Sequence, residues 1–497
     1  MNSAFSGLDW FIFGAYFLIL ALSSVVLSRV KVKTSRDYFV GGNQIPMFAS
    51  AISILATSQS AATFLGGPEY SYSKDMTFLG FYLSAFLGAI IVSKFLIPKF
   101  YELKVVTVYE LLEERFGSRA KKEAGVMFLF GRLLASGARL YIGALAISMI
   151  LFLDIDVIHV AISIAILMLG ALGYAYFGGI KSVIYSDMIQ AFTYIGAGVA
   201  VLVYLYSSLD SDISTIISTL EESSKLKLID FSLDGGFSIW ALFSGWLLLN
   251  ISAYGLDQDM TQRVLSCKNS KDAQHSLMMS IYLTIPVALL FMVIGLLLYI
   301  YYQHPEISHI SSTPSQEFNG DKIMIFMYYI LYNMPDGLRG LVTVGAVAAA
   351  LSSSNSVLGA MSSVAVEDIY KPYRLKRDRD VDELHFVKAG RVMVLVFAIL
   401  LSFMALLSFY WQHYTNLPLL SFALGVMVFA YSGLIGVYSA VLFTSRGTTN
   451  SVTMAFVGGV LSILCLQPYT FGLHIGFAYQ LVIGSVVSFL IAISTKR

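Results

Sequence analysis

Long, uninterrupted apolar runs dominate the sequence, thirteen of them between residues 8 and 494, with most of the charge confined to the segments between them. Their bounds are roughly 8–28, 47–65, 76–98, 123–152, 156–178, 183–207, 238–256, 276–302, 341–361, 388–411, 416–443, 451–467 and 473–494. Lipid offers the backbone no water, so only helices and closed barrels cross it. Barrel strands would read as short alternating segments. These runs are continuous and long enough for helices that span hydrocarbon. The chain is therefore expected to be all-α and polytopic, with about thirteen transmembrane helices. With 57% apolar and only 13% charged residues, it does not read as a soluble enzyme, a nucleic-acid binder or a disordered hub. A further stretch, about 323–334, ends at Pro335 and is read as an outer helix lying on the membrane or over the protein.

The first run lacks a basic start, carries Asp9 at its head, and precedes Arg29, Lys31, Lys33 and Arg36. It reads as a retained helix with the N-terminus outside, not as a cleaved signal. With strict alternation, inner loops receive about 24 Lys/Arg and outer loops about 5. That is a strong positive-inside bias, and it leaves Arg497 in the cytoplasm. The outer segment 208–237 is acidic and Ser-rich, and no soluble appendage exceeds about 30 residues, so 1–497 reads as one membrane domain. Two cysteines, Cys267 and Cys465, cannot build a disulfide framework or a metal cluster.

Polar residues at membrane depth are costly unless used or satisfied. The second run reads Ser53-Ile-Leu-Ala56-Thr57-Ser58-Gln59-Ser60-Ala-Ala-Thr63-Phe64 and then Gly66-Gly67-Pro68, which is expected to end it. An interrupted helix frees carbonyls and amides at the midplane, where transporters hold ions and substrates. A single hydroxyl there is better read as bonded back to its own helix. A cluster of five polar residues favours function. In the ninth run Ala349, Ser352, Ser353 and Ser356 share one helical face. Their oxygens are hard and neutral, suited to a monovalent cation rather than to zinc. The competing reading is a small-residue packing face.

Asp187 and Gln190 stand near the inner start of the sixth run, where the carboxylate either binds a cation or caps the helix. Arg132, Ser136 and Arg139 share a face of the fourth run. Arg132 is expected to snorkel to the inner surface. Arg139 lies deeper and needs an anion, either a protein acid such as Glu69 or a substrate carboxylate. Asn250 either binds a hydroxyl-rich solute or bonds across helices; Tyr254 and Phe78 are better read as packing than as gates. No H-E-x-x-H, G-x-S-x-G or G-x-x-x-x-G-K-[ST] occurs, which argues against an enzyme and against ATP-driven pumping by this chain.

Several motifs together resemble those of the sodium/solute symporters, the family that includes sodium–glucose, proline, pantothenate, sialic acid, iodide and monocarboxylate carriers. They are Asp37-Tyr-Phe-Val-Gly-Gly-Asn-Gln-Ile-Pro46, Ala56 to Phe64, Gly178-Gly179-Ile180 with Asp187-Met-Ile-Gln190, Gln258-Asp-Met-Thr-Gln262-Arg263, and Ala348 to Ser356. The resemblance covers essentially the whole length. It implies a LeuT-like core of two inverted five-helix repeats, here within 47–207 and 238–443, with an extra helix at 8–28 and C-terminal helices in 451–497. By position it places a sodium ion on the backbone oxygens of Ala56, Gln59 and Ala349 and the hydroxyls of Ser352 and Ser353. Some members hold a second sodium, which would fall here on Asp187, Asn355 and Ser356. Asn355 replaces a hydroxyl at that site.

The Ala56 to Phe64 segment is most similar to the sialic acid carriers, in which the matching hydroxyls hold the substrate carboxylate. Those carriers also use an arginine near the position of Ala135, and this chain offers Arg139 one turn away. Gly66-Gly-Pro68-Glu69-Tyr70 is similar instead to the monocarboxylate and iodide branch, and Asn250 to an asparagine of the sugar branch. The implied substrate residues are Ser58, Ser60, Thr63, Phe78, Arg139 and Asn250. The expectation is a sodium-coupled uptake carrier of the inner or plasma membrane for a small acidic solute such as sialic acid. A neutral sugar or a monocarboxylate is the alternative cargo, and a transport-like sensor or passive channel the alternative class. Sodium is the only expected metal. No organic cofactor, nucleic acid or obligate protein partner is expected, only the solute and the bilayer.

Overall fold

The computed structural model describes residues 5–28, 32–233, 235–309, 316–318, 321–378, 380–415 and 419–495. Arg29, Lys31, residues 416–418 and Arg497, used above for topology and span limits, lie outside them. In chain order the main helices are α1 (Gly7–Ser28), α2 (Ser35–Val40), α3 (Met47–Ser58), α4 (Ala61–Ser73), α5 (Thr77–Glu102) and α6 (Glu110–Phe116). Next come α7 (Ser118–Phe152), α8 (Val157–Ser207), α9 (Ile213–Glu222), α10 (Ile239–Gly255), α11 (Gln258–Leu265) and α12 (Ser270–Gln303). The last are α13 (Ile325–Tyr332), α14 (Leu338–Arg377), α15 (Glu383–Thr415), α16 (Leu419–Phe443), α17 (Thr449–Cys465) and α18 (Phe477–Ala492). One antiparallel pair of two-residue strands, β1 (Glu317–Phe318) and β2 (Asp321–Lys322), precedes α13.

Among the described residues seven helices are long and apolar enough to cross a membrane. Counting the bent pairs α3–α4 and α10–α11 as one span each makes nine. Phe11, Leu169 and Ile399 are each at least 70% exposed, and such large apolar side chains outside the bundle need lipid around them.

Two expectations need correction, and two helices, α9 and α11, are additional to them. The second helix does not end at Gly66-Gly67-Pro68. It breaks earlier, at Gln59–Ser60, and Pro68 lies inside α4. No loop separates the fifth and sixth runs, which meet at Gly179 (φ 59°, ψ −156°). Only glycine fits there, because a Cβ would stand 2.4 Å from the Tyr38 carbonyl oxygen. The seventh run forms α10, and α11 follows it at 49°, with Asp257 capping α11 by accepting the Asp259 N–H at 2.9 Å. The other additional helix lies in the acidic segment 208–237. Asp212 caps α9, which buries Ile216 and Leu220 and leaves its polar face outward.

α14 runs through the middle of the bundle against α8, α7 and α3. α1 lies at the edge, with only 11% of its apolar window buried. Its attachment is polar. The fully buried Asp9 carboxylate accepts the N–H groups of Gly337 and Gly340 at 2.8 and 2.7 Å, capping the start of α14. Gly340 is required, since a Cβ would fall 2.7 Å from the Asp9 Cα.

Candidate functional site

The α3–α4 break follows from local hydrogen bonding. The α3 ladder closes with Gln59 N–H on the Leu55 carbonyl at 3.0 Å. The next amide, Ser60 N–H, turns to Thr63 Oγ1 at 2.7 Å, and that hydroxyl donates back to the Ser60 carbonyl at 2.8 Å. The Ala56 carbonyl is thereby left without its helical donor. Ser58 bonds back to Leu55 O at 2.8 Å. The break thus gathers Ala56, Gln59, Ser58, Ser60 and Thr63, and α14 packs against both α3 and α4.

On α14, Ser352 Oγ donates to Asp187 Oδ1 at 2.9 Å. The other oxygen of Asp187 accepts from Ser53 Oγ at 2.5 Å and Arg263 Nη2 at 3.0 Å. Asp187 is therefore no isolated helix cap but a buried carboxylate joining α8, α3, α11 and α14. Ser353 bonds back to Ala350 O at 3.0 Å and lines a small cavity with Ser136, Arg139, Ser354 and Met168.

The residues of the second sodium position are each engaged by other partners. With its amide turned to satisfy both ends, Asn355 accepts from Gln190 Nε2 at 3.2 Å and donates to Ala171 O at 3.2 Å. Ser356 bonds back to Ser352 O at 2.9 Å. Neither residue hydrogen-bonds Asp187, whose carboxylate is taken up by Ser352, Ser53 and Arg263.

Arg132 does not snorkel. It is 4% exposed and pairs with Asp257 Oδ2 at 2.9 Å and Asp259 Oδ2 at 3.0 Å. Arg263 reaches Asp259 as well, at 3.3 Å, and Tyr431 donates to Asp257. Two arginines and three aspartates thus form one buried network with a formal charge of −1. The sequence reading missed Ser53, Asp257, Asp259, Arg263 and Tyr431 as members. The i, i+4 spacing of Asp259 and Arg263 was the available local signal, and Gly255 ahead of a capping Asp257 marked the second break.

Arg139 makes no ion pair among the described residues. Its Nη2 lies 3.2 Å from Met427 Sδ, and the acids nearest in charge terms, Asp257 and Asp259, already hold Arg132. Glu69, the rival partner, accepts the Ile325 N–H at 2.7 Å. Asn250 bonds across to α5, donating to Ser84 Oγ at 3.0 Å, and back along its own helix to Trp246 O at 3.0 Å. Phe78 belongs to an aromatic cluster with Tyr70, Phe81, Tyr82 and Phe237.

These elements, two broken helices meeting a small-residue helix over a buried carboxylate, define a secondary transporter of the all-helical polytopic class. A sequence model of the sodium:solute symporter family matches residues 38–455, and the chain belongs to that family of multi-pass membrane proteins. It is 28% identical to the sodium/sialic acid symporter SiaT of Proteus mirabilis, over 97% of this chain and 93% of that one. It is 26% identical to the sodium/glucose cotransporter of Vibrio parahaemolyticus, over 99% and 91%. A solved sodium-coupled sialic acid symporter, substrate-bound and outward-open, superposes with a TM-score of 0.83 at 25% identity, covering 98% of this chain and 97% of that one. The nucleobase–cation symporter Mhp1 shares the fold, with a TM-score of 0.53 at 13% identity over 92% and 93%.

Proposed function

We propose that this protein couples inward sodium flow to uptake of a small carboxylate-bearing solute, with an acidic sugar such as sialic acid as the leading cargo. The observation that carries this reading is Arg139, a guanidinium inside the bundle with no carboxylate paired to it among the described residues and three serines, Ser136, Ser353 and Ser354, lining its cavity. A buried guanidinium needs an anion, and a carboxylate fits its planar fork. Ser58, Ser60 and Thr63 complete the carboxylate side. The amide of Asn250 is engaged by Ser84, which counts against a neutral-sugar role. The sialic acid symporters among the relatives support the acidic cargo.

On this reading sodium binds the freed backbone oxygen of Ala56, the backbone oxygens of Gln59 and Ala349, and the hydroxyls of Ser352 and Ser353. The network's net negative charge favours a cation beside it. A second sodium at Asp187, Asn355 and Ser356 has less support, because Arg263 already compensates Asp187.

Thirteen crossings follow if α8 counts twice and the helices α16, α17 and α18 are added to the nine spans above. Its 51 residues would run about 77 Å if straight, against a hydrocarbon core of about 30 Å. The N-terminus is then outside and the C-terminus cytoplasmic, in a plasma or bacterial inner membrane. The two five-helix repeats are assigned to 47–207 and 238–443. Each opens on a bent pair, at 58° and 49°, as inverted repeats do.

One sodium entering across 100 mV releases about 2.3 kcal/mol. A monovalent anion moving with it cancels that charge, so a single sodium would leave only the chemical gradients as driving force. The test is uptake into proteoliposomes with an imposed sodium gradient, across sialic acid, monocarboxylates and neutral sugars. Accumulation of an acidic solute that collapses without sodium is expected. Gradient-independent equilibration would indicate a channel, and no uptake of any of these solutes would favour a sensor.

A further inference from the structure

A second concave site lies away from the transport path. A cavity of about 250 Å³ is lined by Arg36, Asn43, Phe100, Tyr101, Lys104, Val105, Leu265 and Lys268. Three of these side chains are cationic, none is acidic, and none of the three cations makes an ion pair among the described residues. The acids adjoining it in sequence, Asp37, Glu102 and Asp272, make no ion pair with these cations among the described residues. Asp37 accepts the Thr34 N–H at 3.1 Å, and Asp272 accepts from Asn269 Nδ2 at 3.0 Å.

The walls are tied together. Arg36 donates to Asn43 Oδ1 at 2.8 Å and to the Lys104 carbonyl at 3.1 Å. Asn43 donates to Leu265 O at 2.5 Å, Ile45 N–H to Ser266 O at 3.0 Å, and Tyr101 OH lies 2.9 Å from the carbonyls of Val264 and Cys267. The cavity therefore sits in a clasp joining the segment before α3, the end of α5 and the end of α11. These belong to the two broken helices and the element beside them.

Three uncompensated cations around one cavity select a multiply coordinated anion, and tetrahedral phosphate oxygens suit a guanidinium with two ammonium groups. Leading to the cavity along α5, Phe95 and Lys99 stand one turn apart, with Leu103 after them, all exposed. An apolar strip with a basic end is the profile of a lipid contact at the inner interface. We propose that this cavity is a binding site for a phosphate-bearing anion, presented either by the headgroup of an anionic phospholipid or as free phosphate. Its placement at the inner face rests on the orientation proposed above; the cavity and its charge do not.

The test uses the full chain purified in detergent. Native mass spectrometry is run with phosphatidylglycerol and phosphatidylcholine at equal concentration, and melting is followed with inorganic phosphate against chloride at matched ionic strength. The paired variant is Lys104→Gln with Lys268→Gln, because neither ammonium takes part in the clasp's hydrogen bonds. Lys122→Gln with Lys388→Gln, both exposed and away from the cavity and its strip, is the surface control. Preferential retention of phosphatidylglycerol, lost by roughly tenfold in the paired variant and kept in the control, is expected for a headgroup site. A phosphate-induced rise in melting temperature, lost in the paired variant without a lipid preference, identifies free phosphate. No preference and no shift, or equal behaviour of wild type and paired variant, overturns the proposal. Labelling of Lys268→Cys from either side of intact cells, in a Cys465→Ser background, reports the orientation separately.

Discussion

Asp187 and Arg263 are both fully buried, but their losses are not equivalent. Arg263 also holds Asp259 and keeps a partner when Asp187 is removed, whereas Arg263 is the cation paired with Asp187 among the described residues. Arg263→Gln is expected to lower stability by about 3–5 kcal/mol, the cost of an uncompensated buried charge, and Asp187→Asn by less. Asp187→Asn should also raise the sodium concentration for half-maximal uptake. Adding it to Arg263→Gln should restore part of the stability but not the sodium affinity. Melting temperature and sodium titration on the same proteins check both. Ser353→Ala should abolish sodium-driven uptake while insertion proceeds; normal transport at low sodium would displace the ion site. For Arg139→Ala, substrate affinity is expected to fall by about 2–5 kcal/mol, the usual cost of stripping one member of a desolvated pair. Arg139→Lys should recover only part, since it keeps the charge and loses the fork. A lowered melting point with unchanged affinity would remove Arg139 from the substrate site.

The helices carry a different lesson. Apolar runs marked the long helices, though not all their bounds, because apolar surface is written continuously along the chain. The breaks were harder to read. Gly66-Gly67-Pro68 looks like an interruption, yet α4 continues through it, and the true break is set by Ser60 N–H turning to Thr63. A capping exchange leaves little trace in composition. The charge network was less legible still. Arg132 and Asp257 are 125 residues apart, and Asp187 and Arg263 are 76 apart, so only folding reveals that they pair. The five polar residues around the break, Thr57, Ser58, Gln59, Ser60 and Thr63, were legible as a cluster, though not their individual partners. Two variants belong to this scale. Thr63→Val removes the acceptor for Ser60 N–H and should destabilise the start of α4 by about 1 kcal/mol. Gly179→Ala forces a Cβ against the Tyr38 carbonyl at a left-handed backbone position, and a loss of at least about 1–3 kcal/mol is expected. Thermal unfolding of the purified variants measures both.

At the scale of the molecule, α1 lies outside both proposed repeats and touches lipid over most of its length. Its Asp9 carboxylate nevertheless holds the first amides of α14, the helix that carries Ser352 and Ser353. Any tilt of α14 during a transport cycle therefore drags the N-terminal end of α1 with it, through a joint too short to slip. α1 becomes a lever arm on the outside of the bundle, moored to the helix proposed to bind the ion. A spectroscopic label near residue 7 should then report displacement of the sodium site from the periphery, without touching the bundle. Membrane thickness, which sets the comfortable tilt of α1, gains a mechanical grip on ion binding.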